Sequence, residues 1–223
     1  MIIAIDGPAG SGKSTVAKLV AGRLGFHYLD TGAMYRAVAH RALSLGVSLE
    51  DEDGIATIAA TDTIAFGHEP GATLPSIVKI ADEDVTAAIR LPEIDDAVSA
   101  VARMPHVREA MVAQQRTLGG SDDIVVEGRD IGTVVFPDAE VKVFLTATPE
   151  ERARRRAAQQ ALTGLAVDAT GVQDALLRRD SADSTRKHSP LVPAADAVEL
   201  DTTGLSLMEV VEAIAALAEE RQL

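Results

Sequence analysis

Cysteine and tryptophan are absent from this 223-residue sequence, and aromatic residues make up only 3% of it. Without cysteine the chain forms neither disulfides nor thiolate metal sites, a composition that fits a reducing cytoplasm. The scarcity of aromatic side chains argues against stacking platforms for single-stranded nucleic acid. No run of about 18 apolar residues is present, so we expect no membrane span. Because Met1 leads directly into the first predicted strand, we also expect no signal peptide and a cytoplasmic protein.

Positive charge is in short supply as well, with 21 Lys and Arg against 34 Asp and Glu and a formal net charge of −13. This balance argues against nucleic acid or a membrane surface as the main partner. The arginines nonetheless concentrate in the third quarter of the chain, where an anionic ligand can bind despite the overall sign. The length suits one domain with inserts. Nothing in the sequence demands a protein partner, so we expect a monomer.

The first fifteen residues carry the strongest pattern in the chain. Met1–Ile5 is a short isoleucine-rich run, typical of a strand buried in a parallel sheet. The segment that follows it matches the phosphate-binding pattern G-x-x-x-x-G-K-[ST]: Gly7-Pro8-Ala9-Gly10-Ser11-Gly12-Lys13-Ser14. From Lys13 the apolar spacing becomes helical, and Gly25 stands where a C-terminal cap is expected. Strand, glycine-rich loop and helix thus come in the order that a phosphate loop requires.

The residue types of this loop suit a chain of phosphates. Glycines let successive backbone N–H groups point at an anion, and the start of the helix adds its positive dipole end. We expect Lys13 to reach the β- and γ-phosphates and the Ser14 hydroxyl to bind Mg²⁺. The predicted nucleotide-binding set is Gly7, Pro8, Ala9, Gly10, Ser11, Gly12, Lys13, Ser14 and Thr15. A purely structural glycine turn is disfavoured, because a chance match in such a chain is on the order of one in a hundred.

Short apolar runs alternate with helical patterns along the rest of the chain. Further strands are predicted at His27–Leu29, Ile124–Val126, Val141–Leu145 and Ala197–Leu200, and of these Ile124–Val126 is predicted to be buried. Helices are predicted from Ala33 with Thr31 as N-cap, from Ser48, from Pro92, from Pro105, from Thr148, through Leu176 and from Ser206. This alternation predicts an α/β sandwich around a parallel sheet of about five strands. Two β-like runs, Thr63–Phe66 and Ser76–Ile80, interrupt it and predict a small antiparallel insert.

Several charged residues stand where an anion can bind, and each has a structural alternative. Arg36 lies in the first turn of a predicted helix, where positive charge is disfavoured, and is either an ordinary surface arginine or an anion ligand. Arg129 and Asp130 follow a predicted strand at the edge where parallel sheets bind ligands, or they form a structural pair. A run of arginines is either a solvated helix face or part of a lid over phosphates: Arg152, Arg154, Arg155 and Arg156.

Phosphate-loop proteins divide into switches, motors and small-molecule kinases, and the first two classes lack their signatures here. The guanine-reading N-K-x-D of GTPase switches and the L-S-G-G-Q of transporter ATPases are both absent. A compact kinase remains. It needs in-line positioning, Mg²⁺, positive charge near the transferred phosphoryl group and exclusion of water. A closing segment rich in arginine supplies both the charge and the exclusion.

Four segments of the sequence resemble the bacterial cytidylate kinases, a family in the nucleoside monophosphate kinase group of P-loop kinases. They are residues 5–15 (IDGPAGSGKST), 29–36 (LDTGAMYR), 128–139 (GRDIGTVVFPDA) and 189–197 (SPLVPAADA). The phosphate loop alone is typical of the whole superfamily, whereas GRDIGTVVFPDA is far more specific. The resemblance runs from the first strand to the last helix.

The resemblance implies a three-layer P-loop NTPase fold with a five-stranded parallel sheet in a single domain. Its parts are a core of residues 1–60, 91–150 and 187–223, an NMP-binding β insert at 61–90 and a helical lid at 151–186. The implied reaction is transfer of the γ-phosphate of ATP, with Mg²⁺, to CMP or dCMP.

The resemblance also implies the residues of the site. The acceptor phosphate is assigned to Thr31, Arg36, Arg129 and Arg186, cytosine to Ser99, Arg108 and Asp130, and the sugar to Arg179 and Asp183, with Tyr35 also in the acceptor set. The implied catalytic residues are Lys13, Arg129 and Arg186. The candidates for the ATP phosphates are Arg152, Arg155 and Arg156, of which Arg156 is included in the nucleotide-binding set. The Asp130 carboxylate would accept from the exocyclic amine of cytosine and repel the carbonyl of uracil.

Two features depart from the family pattern. The hairpin of the insert often carries Asn-Gly before Glu-Asp-Val-Thr; here Ala81-Asp82 stand there, so the turn must differ or be strained. The loops at Pro70–Pro75 and Gly164–Thr170 match no family pattern.

Two alternative functions stay open: a P-loop kinase for another nucleotide or for a metabolite such as shikimate, and a nucleotide-dependent regulator that hydrolyses slowly.

Overall fold

The computed structural model describes residues 1–69, 71–120, 123–161 and 169–221. Its strands are β1 Ile2–Asp6, β2 His27–Asp30, β3 Ile64–His68, β4 Pro75–Ile80, β5 Glu83–Asp84, β6 Ile124–Glu127, β7 Val141–Thr146 and β8 Val198–Asp201. Its α-helices are α1 Lys13–Leu24, α2 Thr31–Ser44, α3 Glu52–Thr61, α4 Pro92–Val101, α5 Pro105–Gly119, α6 Pro149–Ala161, α7 Ala169–Ser184 and α8 Leu207–Arg221. Single turns of 3-10 and π-helix occupy Ala88–Arg90 and Ile131–Val135. The chain forms two compact units, one of Met1–Phe26 with Asp123–Leu223 and the other of His27–Asp122.

The main sheet has the strand order β2-β6-β1-β7-β8. β1 pairs in parallel with β6 and β7, and β8 pairs in parallel with β7. The register places Ile3 beside Val125 on one side and Val141 on the other. β1 is rich in isoleucine because both of its faces are covered, and Ile3 and Ile5 have no exposed surface. The predicted five-stranded parallel sheet is confirmed.

Helices α1 and α8 pack on this sheet and on each other, with α1 against β1 and β6 and α8 against β7. Val16 and Val20 of α1, and Val210 and Ile214 of α8, form buried apolar stripes at helical spacing. α1 begins at Lys13, as predicted, and Gly25 is its C-cap. The segment between β1 and α1 is therefore held at both ends by buried elements.

The second sheet is antiparallel, with the order β3-β4-β5. Phe66 pairs with Val78, which confirms the predicted antiparallel insert. Glu83–Asp84 forms the short third strand, β5. The turn lies just before it, at Ala81 and Asp82, whose φ angles are 48° and 65°. The hairpin thus has a left-handed backbone at two residues that carry a Cβ, which corresponds to the strained one of the two alternatives expected for this turn.

The predicted start of α2 is wrong by two residues. The helix begins at Thr31, not Ala33, and its N-cap is Asp30. Asp30 Oδ1 accepts a hydrogen bond from the Ala33 N–H at 2.9 Å. Both Asp and Thr are good N-caps, and the carboxylate takes this role because it stands three residues before the N–H that it satisfies.

The predicted start of α3 is also wrong, although the helix itself is present. α3 begins at Glu52, and its N-cap is Asp51, not Ser48. The Asp51 carboxylate accepts from the N–H three residues ahead at 2.9 Å, while the Ser48 hydroxyl accepts within the turn that precedes the helix. By contrast, Ser206 and Glu209 form the predicted capping box of α8, with the Ser206 N–H donating to the Glu209 carboxylate at 2.8 Å.

Some of the sequence predictions concern residues outside the ranges that the structure describes. Pro70 and most of the predicted loop Gly164–Thr170 lie outside the described residues, whereas Ala169 and Thr170 belong to α7. The division into core, NMP-binding insert and lid stays a prediction. Within the described ranges, the helices fall short of the length and apolar character that crossing a bilayer requires.

Candidate active site

The phosphate loop joins β1 to α1 and is shaped by close backbone contacts. Gly7 has a φ of +145°, and a Cβ at this position would lie 2.1 Å from Leu145 O in β7. Only glycine fits there, because a side chain would overlap backbone that cannot move aside. At Gly10 a Cβ would meet the Arg152 carbonyl oxygen of α6 at 3.0 Å. The loop therefore lies in direct contact with β7 and α6.

Lys13 is the central cation of the loop. It is 6% exposed, and its ammonium donates to Pro8 O at 2.7 Å. Burial is the main cause that lowers the pKa of Lys13, followed by repulsion from Arg129, whereas Glu127 and Asp6 oppose the change. A buried cation in these surroundings is stabilised by an additional anion, which fits the predicted role of Lys13 toward phosphates.

Asp6 ends β1 and connects it to the π-helical turn at Ile131–Val135. Its two carboxylate oxygens accept from the Ile131 and Gly132 N–H groups, each at 2.8 Å. Burial raises the pKa of Asp6 to about 6, more than these two hydrogen bonds lower it. Sequence reasoning assigned Asp6 no role, although an acidic residue that closes an apolar strand beside a phosphate loop was a usable signal.

Ser14 and Glu127 place two side-chain oxygens, both of a type that can bind a metal ion, beside Lys13. The Ser14 hydroxyl donates to Glu127 Oε2 at 2.8 Å, and Glu127 is buried. Hydroxyl and carboxylate oxygens are the ligand types that Mg²⁺ prefers, so these residues fit the cation. Within the described ranges, no group of three or more His, Cys, Asp or Glu has a metal-binding arrangement.

Asp183 on α7 holds two arginines that the family resemblance assigns to the acceptor phosphate. Arg129 Nε donates to Asp183 Oδ2 at 2.9 Å, and Arg186 Nη2 donates to Asp183 Oδ1. The Asp183 and Arg186 side chains are both buried. One carboxylate between two guanidinium groups fixes their directions and leaves the cluster with net positive charge. The structure thus brings three predicted site residues together.

Two arginines of α6 contact the carbonyl oxygens of the phosphate loop. Arg152 Nη1 donates to Ala9 O at 3.2 Å, and Arg155 Nη1 donates to Ser11 O at 3.1 Å. Arg155 also donates to Thr202 Oγ1 and O, at 2.9 and 3.0 Å. These contacts support the loop from the outside, a role that neither sequence alternative included. The spacing of three residues, which places both side chains on one helix face, was the available signal.

Arg154 and Arg156 have partners on the same helix, and Arg155 shares one of them. Glu151 accepts hydrogen bonds from Arg154 and Arg155, which lower the pKa of Glu151 to about 2, with Arg154 as the larger cause. Arg156 Nη1 donates to Gln159 Oε1 at 3.0 Å. The assignment of Arg156 to ATP stays a prediction.

In the second compact unit, the structure brings Tyr35 and Arg108 together. The Arg108 guanidinium carbon lies 5.5 Å from the centroid of the Tyr35 ring, and Arg108 Nη1 donates to Ala102 O at 3.1 Å. The Arg108 side chain is buried, so the ring and the carbonyl together hold its orientation.

Arg36, on α2 of the same unit, is held by α4 and by the 3-10 turn that precedes α4. It forms an ion pair with Asp95 and donates to Ile89 O at 3.3 Å, so it is not an ordinary solvated arginine. The Ser99 hydroxyl donates to the Asp95 backbone oxygen at 3.3 Å. Of the remaining predicted residues, two are buried and one is half-buried on α7: Thr31, Asp130 and Arg179.

A glycine-rich loop between a central parallel strand and a helix, with a buried lysine and a hydroxyl beside a buried acid, defines a P-loop phosphotransferase site. The family model described as cytidylate kinase matches residues 3–220. A cytidylate kinase of Pelotomaculum thermopropionicum is 50% identical over 214 residues, covering 96% of this chain and 94% of that protein. One of Streptomyces avermitilis is 49% identical over 224 residues, covering 100% and 94%. The chain belongs to the cytidylate kinase family.

A solved structure, of an uncharacterized protein from Eubacterium ventriosum, matches with a TM-score of 0.54 and 12% identity and covers 98% of each chain. This likeness concerns the fold alone. Family membership confirms the resemblance found in the sequence and the predicted class, an ATP-dependent nucleoside monophosphate kinase. The roles of the individual site residues stay predictions.

Proposed function

We propose that the protein transfers the γ-phosphate of ATP to CMP or dCMP, giving ADP and CDP or dCDP. The observation that carries the proposal is the buried Lys13 beside Arg129 in a chain whose net charge is −13. Positive charge concentrated at one loop of an acidic protein is expected where a polyanion binds and reacts. Membership of the cytidylate kinase family supports the choice of cytidine nucleotides.

The donor phosphates are assigned to the phosphate loop. Backbone N–H groups of residues 7–15 bind them, and Lys13 stabilises the negative charge that develops on the β- and γ-phosphate oxygens. Ser14 would hold Mg²⁺, with Glu127 orienting the hydroxyl or a bound water. When bound, Mg²⁺ neutralises phosphate charge and helps to align the transferred group. Arg152 and Arg155 keep the loop in place from its outer side.

The acceptor phosphate is assigned to Arg129 and Arg186, which Asp183 orients before the ligand binds. An oxygen of this phosphate attacks the γ-phosphorus, the bond between that phosphorus and the β–γ bridging oxygen breaks, and ADP leaves. Positioning two anions in line is the costly step, and fixed guanidinium groups reduce its cost. The family pattern adds Thr31 and Arg36 to the phosphate ligands.

The base and sugar of the acceptor are assigned through the same pattern. Cytosine is read by Ser99, Arg108 and Asp130, and the sugar by Arg179 and Asp183. The Asp130 carboxylate is assigned to accept a hydrogen bond from the cytosine amine and to repel the uracil carbonyl at the same place. Three further expectations belong to the proposal: small-molecule substrates without nucleic acid, a monomeric state and a cytoplasmic location.

The test is ADP release from Mg·ATP with CMP, dCMP, UMP, AMP, dTMP or shikimate as separate acceptors, and with none. The expected result is strong stimulation by CMP and dCMP and weak stimulation by UMP. Stimulation by another acceptor alone would keep the phosphate loop but reject the base assignment. If no acceptor stimulates release, the nucleotide-dependent regulator replaces the kinase.

A further inference from the structure

Asp180, on α7, reaches the phosphate loop with its carboxylate. Its Oδ1 accepts from the Ala9 N–H at 3.4 Å, and its Oδ2 accepts from Arg152 Nη1. The same Arg152 nitrogen donates to Ala9 O at 3.2 Å. One loop residue is therefore bound at both its N–H and its C=O, by two side chains that also bind each other.

The contact between Asp180 and the phosphate loop depends mainly on the ion pair of Asp180 with Arg152. The distance of 3.4 Å from Asp180 Oδ1 to the Ala9 N–H is long for a hydrogen bond, whereas a charge-assisted pair is stronger. The Arg152 and Asp180 side chains are 7% and 17% exposed, which limits screening by water. Arg152 Nε also donates to Ala147 O at 3.1 Å, which anchors the guanidinium to the end of β7. Removing the carboxylate would leave a buried cation without this partner.

The same helix carries the residues assigned to the acceptor. Asp183 lies one turn beyond Asp180, so the two carboxylates lie on neighbouring positions of one helix face. Asp180 contacts the phosphate loop, and Asp183 holds Arg129 and Arg186. A single turn of α7 thus contacts both the phosphate loop, which is assigned to ATP, and the two arginines that are assigned to the acceptor phosphate.

We propose that Asp180 is a positioning residue that couples acceptor binding to the phosphate loop through Arg152 and Ala9. The inference rests on the proposed function, because it uses the assignment of Asp183 and its two arginines to the acceptor. An acceptor that orders α7 also orders Ala9, so ATP then binds a loop that is already in place. Linkage makes the effect reciprocal, and bound ATP raises the affinity for the acceptor by the same factor.

The experiment measures the Kd of a non-hydrolysable ATP analogue with Mg²⁺ by calorimetry, with and without saturating CMP. In the wild type, CMP is expected to tighten analogue binding about fivefold or more. We call the Kd without CMP divided by the Kd with CMP the coupling ratio. In Asp180→Asn this ratio is expected to fall to near one. The matched control is Asp174→Asn, which changes an exposed carboxylate on the same helix and keeps the wild-type ratio.

A second variant keeps the test independent of the folding of Asp180→Asn. Arg152→Lys retains the charge but loses the planar group that contacts Ala9, Ala147 and Asp180 together, so its ratio also falls. Because both changes break the same path, the double variant is expected to show no further loss. Additive losses in the double variant would contradict the shared path.

The outcomes separate this inference from the proposed function. CMP-stimulated ADP release with a ratio of one in the wild type, or with an unchanged ratio in Asp180→Asn, overturns the inference and leaves the function standing. Absence of CMP-stimulated release rejects the function, and the analogue affinity without CMP then decides the role of Asp180. If Asp180→Asn binds the ATP analogue about threefold or more weakly than the wild type, Asp180 positions the loop. An unchanged affinity for the analogue overturns that role.

Discussion

At the scale of single residues, burial decides which charged groups interact strongly. Lys13, Asp6, Glu127 and Asp183 are all buried, so their electrostatic interactions are weakened less by water than those of surface charges. Each of them also has a hydrogen-bond partner within the site. Removing one partner leaves the other buried and unsatisfied, which is why single substitutions here are informative.

Lys13→Ala is expected to lower the turnover of ATP with CMP about 10²- to 10³-fold, because it removes the charge that stabilises the transferred phosphoryl group. The measurement is steady-state ADP release at saturating substrates. Lys18→Ala, a change of lysine on the same helix, serves as the control with wild-type turnover. Turnover near that of the control would exclude the catalytic role of Lys13.

Asp130→Asn is expected to reduce the preference for CMP over UMP by about tenfold or more, because the neutral amide no longer repels the uracil carbonyl. The measurement is the ratio of kcat/KM for the two acceptors, together with the thermal midpoint, which should change little. Asp138→Asn, at an exposed position eight residues further along the chain, is the control. An unchanged ratio would remove Asp130 from the base-reading set.

Asp6 predicts a pH dependence of stability. Burial raises its pKa from 3.8 to about 6, so between these values the folded protein keeps a proton that the unfolded chain releases. The contribution of Asp6 to the unfolding free energy therefore falls as pH rises through this window, by at most about 3 kcal/mol. Urea unfolding of the wild type and Asp6→Asn measures it. The difference, wild type minus variant, should fall from pH 4 to pH 7, and a constant difference would contradict the shifted pKa.

At the scale of elements, local patterns predicted contiguous pieces well. β1, the glycine-rich loop and α1 were predicted together because their signals lie side by side along the chain. The starts of α2 and α3 were missed because Asp30 and Thr31, or Ser48 and Asp51, are all acceptable caps. The choice between them depends on which side chain reaches an N–H group in the folded backbone.

The hairpin turn between β4 and β5 gives a prediction at this scale. Replacing Ala81-Asp82 by Asn-Gly is expected to raise the unfolding free energy by about 1 kcal/mol, because Asn and Gly tolerate the positive φ angles found there. Urea unfolding measures the change. Ala81→Val is the opposite control, since a β-branched residue at positive φ should destabilise the protein. Equal stability of the three proteins would show that the turn is not strained.

At the scale of the whole molecule, net charge and ligand binding have opposite effects. A charge of −13 favours solubility but opposes the approach of anionic nucleotides, so local arginine clusters must outweigh the long-range field. Lys13, Arg129, Arg152, Arg155 and Arg186 all lie in the unit formed by Met1–Phe26 and Asp123–Leu223. The positive charge of that unit is thus gathered from sequence positions far apart.

CMP at a concentration of about 100 Kd is expected to stabilise the folded protein by about 2.7 kcal/mol and to raise its thermal midpoint by about 5–10 °C. UMP at the same concentration should raise it less, because its affinity is lower. The measurement is a thermal unfolding scan with each nucleotide in otherwise identical buffer. Equal shifts with CMP and UMP would contradict selective binding of cytosine.

The sequence by itself determined the phosphate loop, the alternation of strands and helices, and the family, because each of these can be recognised from contiguous segments of the chain. Tertiary structure decided which charged groups meet. Asp6 binds the N–H of a residue 126 positions away, and Arg152 binds the carbonyl of one 143 positions away. Local spacing carries no information about such pairs, since they form only when the sheet brings β1, β6 and β7 side by side and α6 and α7 pack against the loop. For the same reason Arg152 and Arg155 could be predicted as a charged helix face but not as supports of the phosphate loop.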